Sequence, residues 1–228
     1  MKIALCFSGQ PRGLSVAYEY YKRSLLSVYD VDVFCHSWSS DLDQQILDLY
    51  NPKDYIFEPV KFDENDDKKY VNTPNPDKWP PRFTLSAFYS INESKKMFQS
   101  AGINYDWVIK TRYDYALNVK IPFDQLDKKK LYIPNCRMVP ERNFGNDQFA
   151  FSSELVMSKY MSTYENLDIY YSRGTQMIGE EMLKANLIHN DLVGENLVYV
   201  DMNNPFPPGK YNGTWHSLVR EDYEEWIK

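Results

Sequence analysis

This sequence has few cysteines, and they lie far apart. Cys6, Cys35 and Cys136 show no C-x-x-C spacing, which argues against a structural zinc site. Cys6 and Cys35 fall within apolar runs that are typical of strands. We therefore expect buried free thiols, which are usual in a reducing compartment such as the cytoplasm.

Long apolar runs are also missing. The first run, residues 3–7, is shorter than the hydrophobic region of a signal peptide. No segment approaches the roughly 20 apolar residues that a membrane-spanning helix needs. The sequence therefore predicts no membrane span and a cytoplasmic location.

Positive charge is not in excess. The 228 residues carry 26 Lys and Arg against 32 Asp and Glu, a formal net charge of -6. Strong non-specific binding to nucleic acid is not expected at this balance. A small anionic ligand would need local arginine, lysine or a metal ion. Aromatic residues are abundant at 16%, and we expect most of them in packing, although such rings also line sugar and base sites.

Strand and helix patterns alternate along the chain. Residues 2–8, 14–29 and 31–37 read as strand, helix and strand, a unit that forms parallel sheets with right-handed crossovers. The alternation predicts one α/β domain over residues 1–228, with a mixed, mostly parallel sheet flanked by helices. The remaining predicted helices span 41–50, 83–102, 153–171 and 179–190, and the remaining predicted strands span 54–60, 107–109, 129–134, 147–153 and 195–202.

One segment breaks this alternation. Residues 61–81 are charged and rich in proline, which predicts a long surface loop. The alternative is a lid or acceptor-binding loop with Trp79 as a sugar platform. The predicted helix 153–171 carries a stripe of large residues that we assign to the core rather than to a cofactor.

The first candidate site follows the first strand, where open α/β sheets bind ligands. The sequence FSGQPRG is neither G-x-G-x-x-G nor a P-loop. A glycine lets a ligand approach the backbone closely, and an arginine pairs with phosphate. The candidate ligand-binding residues are Phe7, Ser8, Gly9, Gln10 and Arg12. A plain turn is the alternative.

Two further strand ends carry polar groups. FCHSW places His36 and Trp38 at the end of the second strand, although His36 is equally explained as a core histidine. DWVIKTRYDYAL turns from apolar to polar at Arg112 and Asp114, which share one side of an extended chain. Asp114 is a candidate ligand for Mn²⁺ or Mg²⁺, with a diphosphate completing the shell. A structural ion pair with Arg112 is the alternative.

Three later residues are also candidates. Asp147 opens a predicted strand and is a candidate catalytic base, with Glu181 as the second candidate. Carboxylates such as Glu181 also simply favour a helix start. His216 is a late histidine that could fold back onto a metal, although a surface histidine explains it as well.

Taken in order, IALCFSGQPR, VDVFCHSW, FYSI, YDWVIKTRYDYAL and NDQFAFSS resemble the GT-A glycosyltransferases. They are most similar to the small glycosyltransferases of large DNA viruses, phages and bacterial surface-polysaccharide clusters. The resemblance covers roughly residues 1–155. It implies transfer of a sugar from a nucleotide-diphosphate sugar, a UDP-sugar, to a glycan acceptor. It also implies a nucleotide-binding half at 1–115, an acceptor-side half at 116–228 and, for a viral protein, the host cytoplasm.

The family places its D-x-D metal motif on the stretch that here reads Arg112-Tyr113-Asp114, so one carboxylate of the motif is absent. The resemblance implies Asp114 and His216 as ligands of Mn²⁺ or Mg²⁺. It also implies His36, Trp38 and Arg112 as donor-binding residues beside the first loop. The alternatives are another nucleotide-dependent transferase and a non-catalytic carbohydrate- or nucleotide-binding module.

Overall fold

In the computed structural model, residues 1–74, 76–117, 119–134 and 147–200 are described, and they contain one seven-stranded sheet. The strands are β1 (Lys2–Gly9), β2 (Asp30–Trp38), β3 (Asp54–Glu58), β4 (Trp107–Thr111), β5 (Leu131–Pro134), β6 (Phe149–Ser152) and β7 (Leu197–Val200). Their order in the sheet is β3-β2-β1-β4-β6-β5-β7. β6 runs antiparallel to β4 and β5, and the other pairs are parallel. The predicted α/β fold with a mixed, mostly parallel sheet is confirmed.

Helices cover both faces of this sheet. They are α1 (Leu14–Tyr21), α2 (Asp43–Tyr50), α3 (Glu64–Lys69), α4 (Pro81–Ser100), α5 (Glu154–Tyr160), α6 (Leu167–Ser172) and α7 (Gly179–His189). α1 and α2 pack on one face, whereas α4 to α7 pack on the other. Within the described ranges, no helix is both long and apolar enough to cross a membrane.

Successive side chains of β1 point to opposite faces of the sheet, so this strand contributes to a hydrophobic core on each face. Ile3, Leu5 and Phe7 face the α1 side, while Ala4 and Cys6 face the α4 side. Every one of these side chains is fully buried. A strand covered on both faces must be apolar throughout, as its sequence indicated.

The two described cysteines agree with the sequence prediction. Cys6 and Cys35 are buried free thiols. Burial raises the pKa of the Cys35 thiol to about 12, so the group stays protonated and unreactive. Cys136 lies outside the described residues.

The prediction of a long loop over 61–81 was wrong in part. α3 forms within it because Asp63 and Asp66 make a reciprocal capping box. The Asp63 carboxylate accepts from backbone N–H groups of the first helical turn, and the Asp66 carboxylate accepts from the backbone N–H of Asp63. Pro81 begins α4, a position where the missing N–H costs nothing. The charged composition concealed both signals.

The single helix predicted over 153–171 was also wrong, because the structure divides it into α5, a 3₁₀ turn and α6. Asn186 of α7 donates 3.0 Å hydrogen bonds to the carbonyl oxygens of Lys159 and Tyr160, where α5 ends. The hydroxyls of Ser162 and Thr163 bond the same two carbonyls and compete with helix continuation. The predicted core stripe nevertheless holds, since its five residues are buried or packed against the core: Met157, Tyr160, Tyr164, Leu167 and Tyr171.

Candidate functional site

The sheet order creates a crevice beside β1. α1 follows β1 on one face of the sheet, whereas α4, which leads into β4, covers the other face. After β1 the chain passes to β2 on one side of this strand pair, and after β4 it passes to β5 on the other side, and ligands of open α/β sheets bind where the connections diverge in this way. A cleft of about 490 Å³ opens here. Its lining comes from the ends of β1, β2 and β4, the start of α4, and the segment between β3 and α4.

The loop after β1 is anchored from below. Gly9 has φ of +101°, a conformation that favours glycine, and its N–H donates to the Ser90 hydroxyl over 2.7 Å. The same hydroxyl lies 2.7 Å from Nδ1 of His36, whose Nε2 lies 3.1 Å from Glu58. Burial lowers the pKa of His36, although Glu58 opposes this shift. A neutral imidazole thus connects β2, β3 and α4 beneath the loop.

The exposed part of this loop carries a cation. Arg12 is exposed and donates from its guanidinium to the side-chain oxygen of Gln10. Ser8 is buried and donates to the carbonyl oxygen of Thr111 at the end of β4. Ser8, Gly9, Gln10 and Arg12 all line the cleft.

Aromatic rings form one wall of the cleft. Trp38 is buried and stacks on Tyr89, with ring centroids 5.7 Å apart and an interplanar angle of 18°. Trp79 and Phe83 lie at the rim and are more than half exposed. A rigid stacked pair and two exposed rings are suited to flat or apolar ligand faces.

The end of β4 holds a buried ion pair. Arg112 donates from Nε and Nη2 to the two oxygens of Asp114, over 2.8 and 2.7 Å. The Asp114 side chain is 1% exposed and that of Arg112 is 31% exposed. Burial alone would lower the pKa of Arg112, but the Asp114 carboxylate outweighs it and the net shift is upward. Arg112 lines the cleft, whereas Asp114 lies beneath it.

The turn that carries this pair is fixed by aromatic packing. Tyr113 is buried and stacks on Phe7 with centroids 5.0 Å apart. Its hydroxyl donates to the carbonyl oxygen of His36 over 3.3 Å. Tyr21 and Thr111 share a hydroxyl–hydroxyl contact of 2.6 Å on the same side. The guanidinium of Arg112 is therefore held by a rigid support.

Lys110 is the second cation of β4. It is 1% exposed, lines the cleft and donates from Nζ to the backbone carbonyl of Asp147. No carboxylate of the described residues lies within ion-pair distance of its ammonium group. Burial lowers the pKa of Lys110 to about 8, with Asp147 opposing the shift and Arg112 adding to it. Asp147 also lines the cleft, and its carboxylate is near enough to oppose the effect of burial on the pKa of this lysine.

No protein-family model matches this chain, and no curated protein matches it.

The structure brings most of the predicted residues together. Seven line the cleft: Ser8, Gly9, Gln10, Arg12, Trp38, Arg112 and Asp147. Phe7 is fully buried in the core under the cleft, and His36 supports the first loop without lining the cavity. Glu181 lines a separate shallow depression with Arg173, so it does not meet Asp147. His216 lies outside the described residues.

Sequence reasoning missed two cations of the cleft. Lys110 stands two residues before Arg112, and a lysine inside a buried strand was the signal that could have found it. Arg82 enters from the start of α4, where Asp67 of α3 holds both its backbone N–H and its guanidinium. No local pattern marks Arg82, because its place depends on how α3 docks.

Among the described residues, the donor set around Asp114 does not fit a divalent cation. Both oxygens of Asp114 accept from Arg112, so a divalent cation bound to this carboxylate would lie beside the positively charged guanidinium. In the described ranges, no three His, Cys, Asp or Glu residues are grouped so that they could hold a metal ion. The expected metal role of Asp114 is therefore at odds with the ion pair.

Proposed function

We propose that this protein is a glycosyltransferase that transfers a sugar from a nucleotide-diphosphate sugar, in the first place a UDP-sugar, to a glycan acceptor. The observation that supports it best is the cleft at the carboxyl ends of β1, β2 and β4, with Arg112 fixed at its base. Nucleotides bind at this position in open α/β sheets. The order of the strand-end motifs, which resembles GT-A enzymes, adds to this.

The chemistry requires stabilisation of a leaving diphosphate. Negative charge grows on its oxygens as the glycosidic bond breaks, and preoriented cations lower the energy of that state. Arg112 and Lys110, which line the cleft at the end of β4, are our candidates for this task. The loop after β1 is assigned to the base and ribose of the donor.

The acceptor side needs a base if the reaction inverts the sugar configuration. Asp147 is the candidate, because this residue lines the cleft and its charge interacts with that of Lys110. It would remove the proton from the acceptor hydroxyl as that oxygen attacks the sugar carbon. Trp79 and Phe83 at the rim offer exposed ring faces on which an acceptor sugar could stack.

The test is a binding screen followed by a product assay. We expect UDP or a UDP-sugar to raise the melting temperature of the full chain, since a ligand of the folded state stabilises it. With a suitable acceptor, UDP rather than pyrophosphate is then released, and Asp147→Asn lowers the rate ~10²-fold or more while donor binding persists. Release of pyrophosphate would instead indicate a nucleotidyltransferase. Absence of binding by any nucleotide or nucleotide sugar would contradict the proposal.

A further inference from the structure

The cleft is locally cationic in an acidic chain. Four positive residues, Arg12, Arg82, Lys110 and Arg112, line it together with Asp147, and Arg82 and Arg112 also pair with Asp67 and Asp114, which lie outside the lining. The whole chain has a net charge of -6. The cations at the cleft therefore outnumber these carboxylates, which favours an anionic ligand.

Two of these cations lie close together, because Lys110 is in β4 and Arg112 directly follows its last residue, Thr111. Lys110 and Arg112 are separated by one residue of extended chain, so they face the same side, and both line the cleft. Arg112 uses Nε and Nη2 for Asp114, and this leaves Nη1 outside the ion pair. Lys110 uses one of its three ammonium hydrogens for the Asp147 carbonyl. Donors therefore remain on both groups for a ligand.

The carboxylate that a metal would need is committed to positioning. Asp114 is buried and bonded through both oxygens, so it fixes the plane of the guanidinium. Breaking this pair to admit a cation would leave Arg112 beside a metal of the same sign. Lys110 and Arg112 thus offer together the positive charge that a divalent metal ion would otherwise supply.

We propose that Lys110 and Arg112 bind the donor diphosphate directly, and that this cleft takes nucleoside diphosphates without a divalent metal. This inference rests on the proposed function and names how its donor site supplies positive charge. Asp114 is then a positioning residue, which acts through Arg112 and does not touch the ligand.

The test uses the full chain, with UDP as the probe, in isothermal titration calorimetry with excess EDTA and again with Mn²⁺. We expect UDP to bind in EDTA, with an affinity within about threefold of that in Mn²⁺. Arg112→Gln should weaken binding in EDTA by about 10- to 100-fold, as expected for one charge-assisted contact. Lys110→Met should weaken it about tenfold.

Two further variants keep the result interpretable. Arg112→Gln leaves Asp114 buried without its partner and can fail to fold, so the double variant Arg112→Gln with Asp114→Asn replaces both charges by neutral amides. Arg173→Gln removes the same charge from an exposed residue of the separate depression and should leave UDP affinity unchanged.

Three outcomes are distinguishable. Binding in EDTA that is lost in the double variant and kept in Arg173→Gln supports the inference. UDP binding that requires Mn²⁺, or binding in EDTA that survives the double variant or Lys110→Met, overturns it while leaving the proposed function intact. Failure of UDP and UDP-sugars to bind the wild-type chain under either condition overturns both.

Discussion

The end of β4 and the loop after β1 reach the same cleft, yet they hold their arginines differently. Arg112 is fixed by two hydrogen bonds to buried Asp114, whereas Arg12 is exposed and bonds Gln10 of its own short loop. Arg112 loses its side-chain freedom when the protein folds, but Arg12 must lose its freedom when a ligand binds. Two equal charges in one cleft are therefore expected to contribute unequally to affinity.

The largest effect is expected when Arg112 is no longer held in its orientation by Asp114. Asp114→Asn removes the negative charge and one acceptor, so Arg112 loses its fixed orientation. We expect UDP release to fall ~10²-fold and the free energy of unfolding to fall by about 2 kcal/mol. Steady-state rates and urea unfolding measure these two quantities.

The matched change on the other side is Gln10→Ala, which frees Arg12. It should change the rate less than about threefold, because Arg12 is already exposed and the bond at the surface contributes little. Equal losses in Asp114→Asn and Gln10→Ala would abolish the proposed distinction between the two arginines.

The next effect concerns Lys110 and has opposite signs for binding and stability. Lys110→Met should weaken UDP binding about tenfold yet raise the free energy of unfolding by roughly 1–3 kcal/mol at pH 7, since a buried charge is costly. Chemical unfolding and calorimetry on the same preparation test both. A less stable Lys110→Met would mean that the bond to the Asp147 carbonyl outweighs the burial cost.

The same lysine predicts a pH dependence. Its folded pKa, about 8, lies below the unfolded value of 10.5, so the unfolded chain binds the proton more tightly. The contribution of Lys110 to stability therefore rises with pH between about 8 and 10.5. UDP affinity should fall over the same range as the ammonium loses its charge beside Arg112, Asp114 and Asp147. Lys110→Met should not show this fall.

A smaller effect is expected from Arg12→Gln. We expect UDP affinity to fall about threefold at low salt, and the loss to shrink at 0.5 M salt, because exposed charges are screened. Titrations at two salt concentrations measure it. A loss as large as that of Arg112→Gln would reverse the order of the two arginines.

The smallest effect concerns the anchor of the first loop. Burial lowers the pKa of His36 below its ordinary value, so the unfolded state takes up the proton first as the pH falls. Stability from a neutral His36 is present above about pH 6.5 and declines below it. The melting temperature should therefore drop more between pH 7.5 and 5.5 in the wild type than in His36→Gln. An identical drop in melting temperature in both proteins would show that His36 does not cause this pH dependence.

The fold was largely predictable because its central strands are buried on both faces. Uninterrupted apolar runs such as Ile3–Phe7 leave little choice of structure. The breaks at α3 and after α5 were not predictable in the same way. One depends on a capping box of two aspartates, and the other on Asn186, which arrives from a distant helix.

The site was predictable in its place but not in its roles. Strand ends of one parallel sheet must converge, and this was enough to join Arg12, Trp38 and Arg112. The sequence placed Arg112 and Asp114 on one side but did not say which of them reaches the cleft. That choice is made by Tyr113, which stacks on Phe7 and fixes the turn with Asp114 underneath.

The tryptophans that line the cleft should allow ligand binding to be followed by intrinsic fluorescence. Trp38 stacks on Tyr89 in the wall and Trp79 is exposed at the rim, whereas Trp107 is fully buried away from the cleft. Indole fluorescence depends on the polarity and contacts of the ring, so a ligand in the cleft should change the emission of Trp38 and Trp79. Trp107 should change little, and Trp215 and Trp226, which lie outside the described residues, are replaced by phenylalanine so that the change is assigned to the cleft. Ligands can thus be ranked by unlabelled fluorescence titration before any substrate is known.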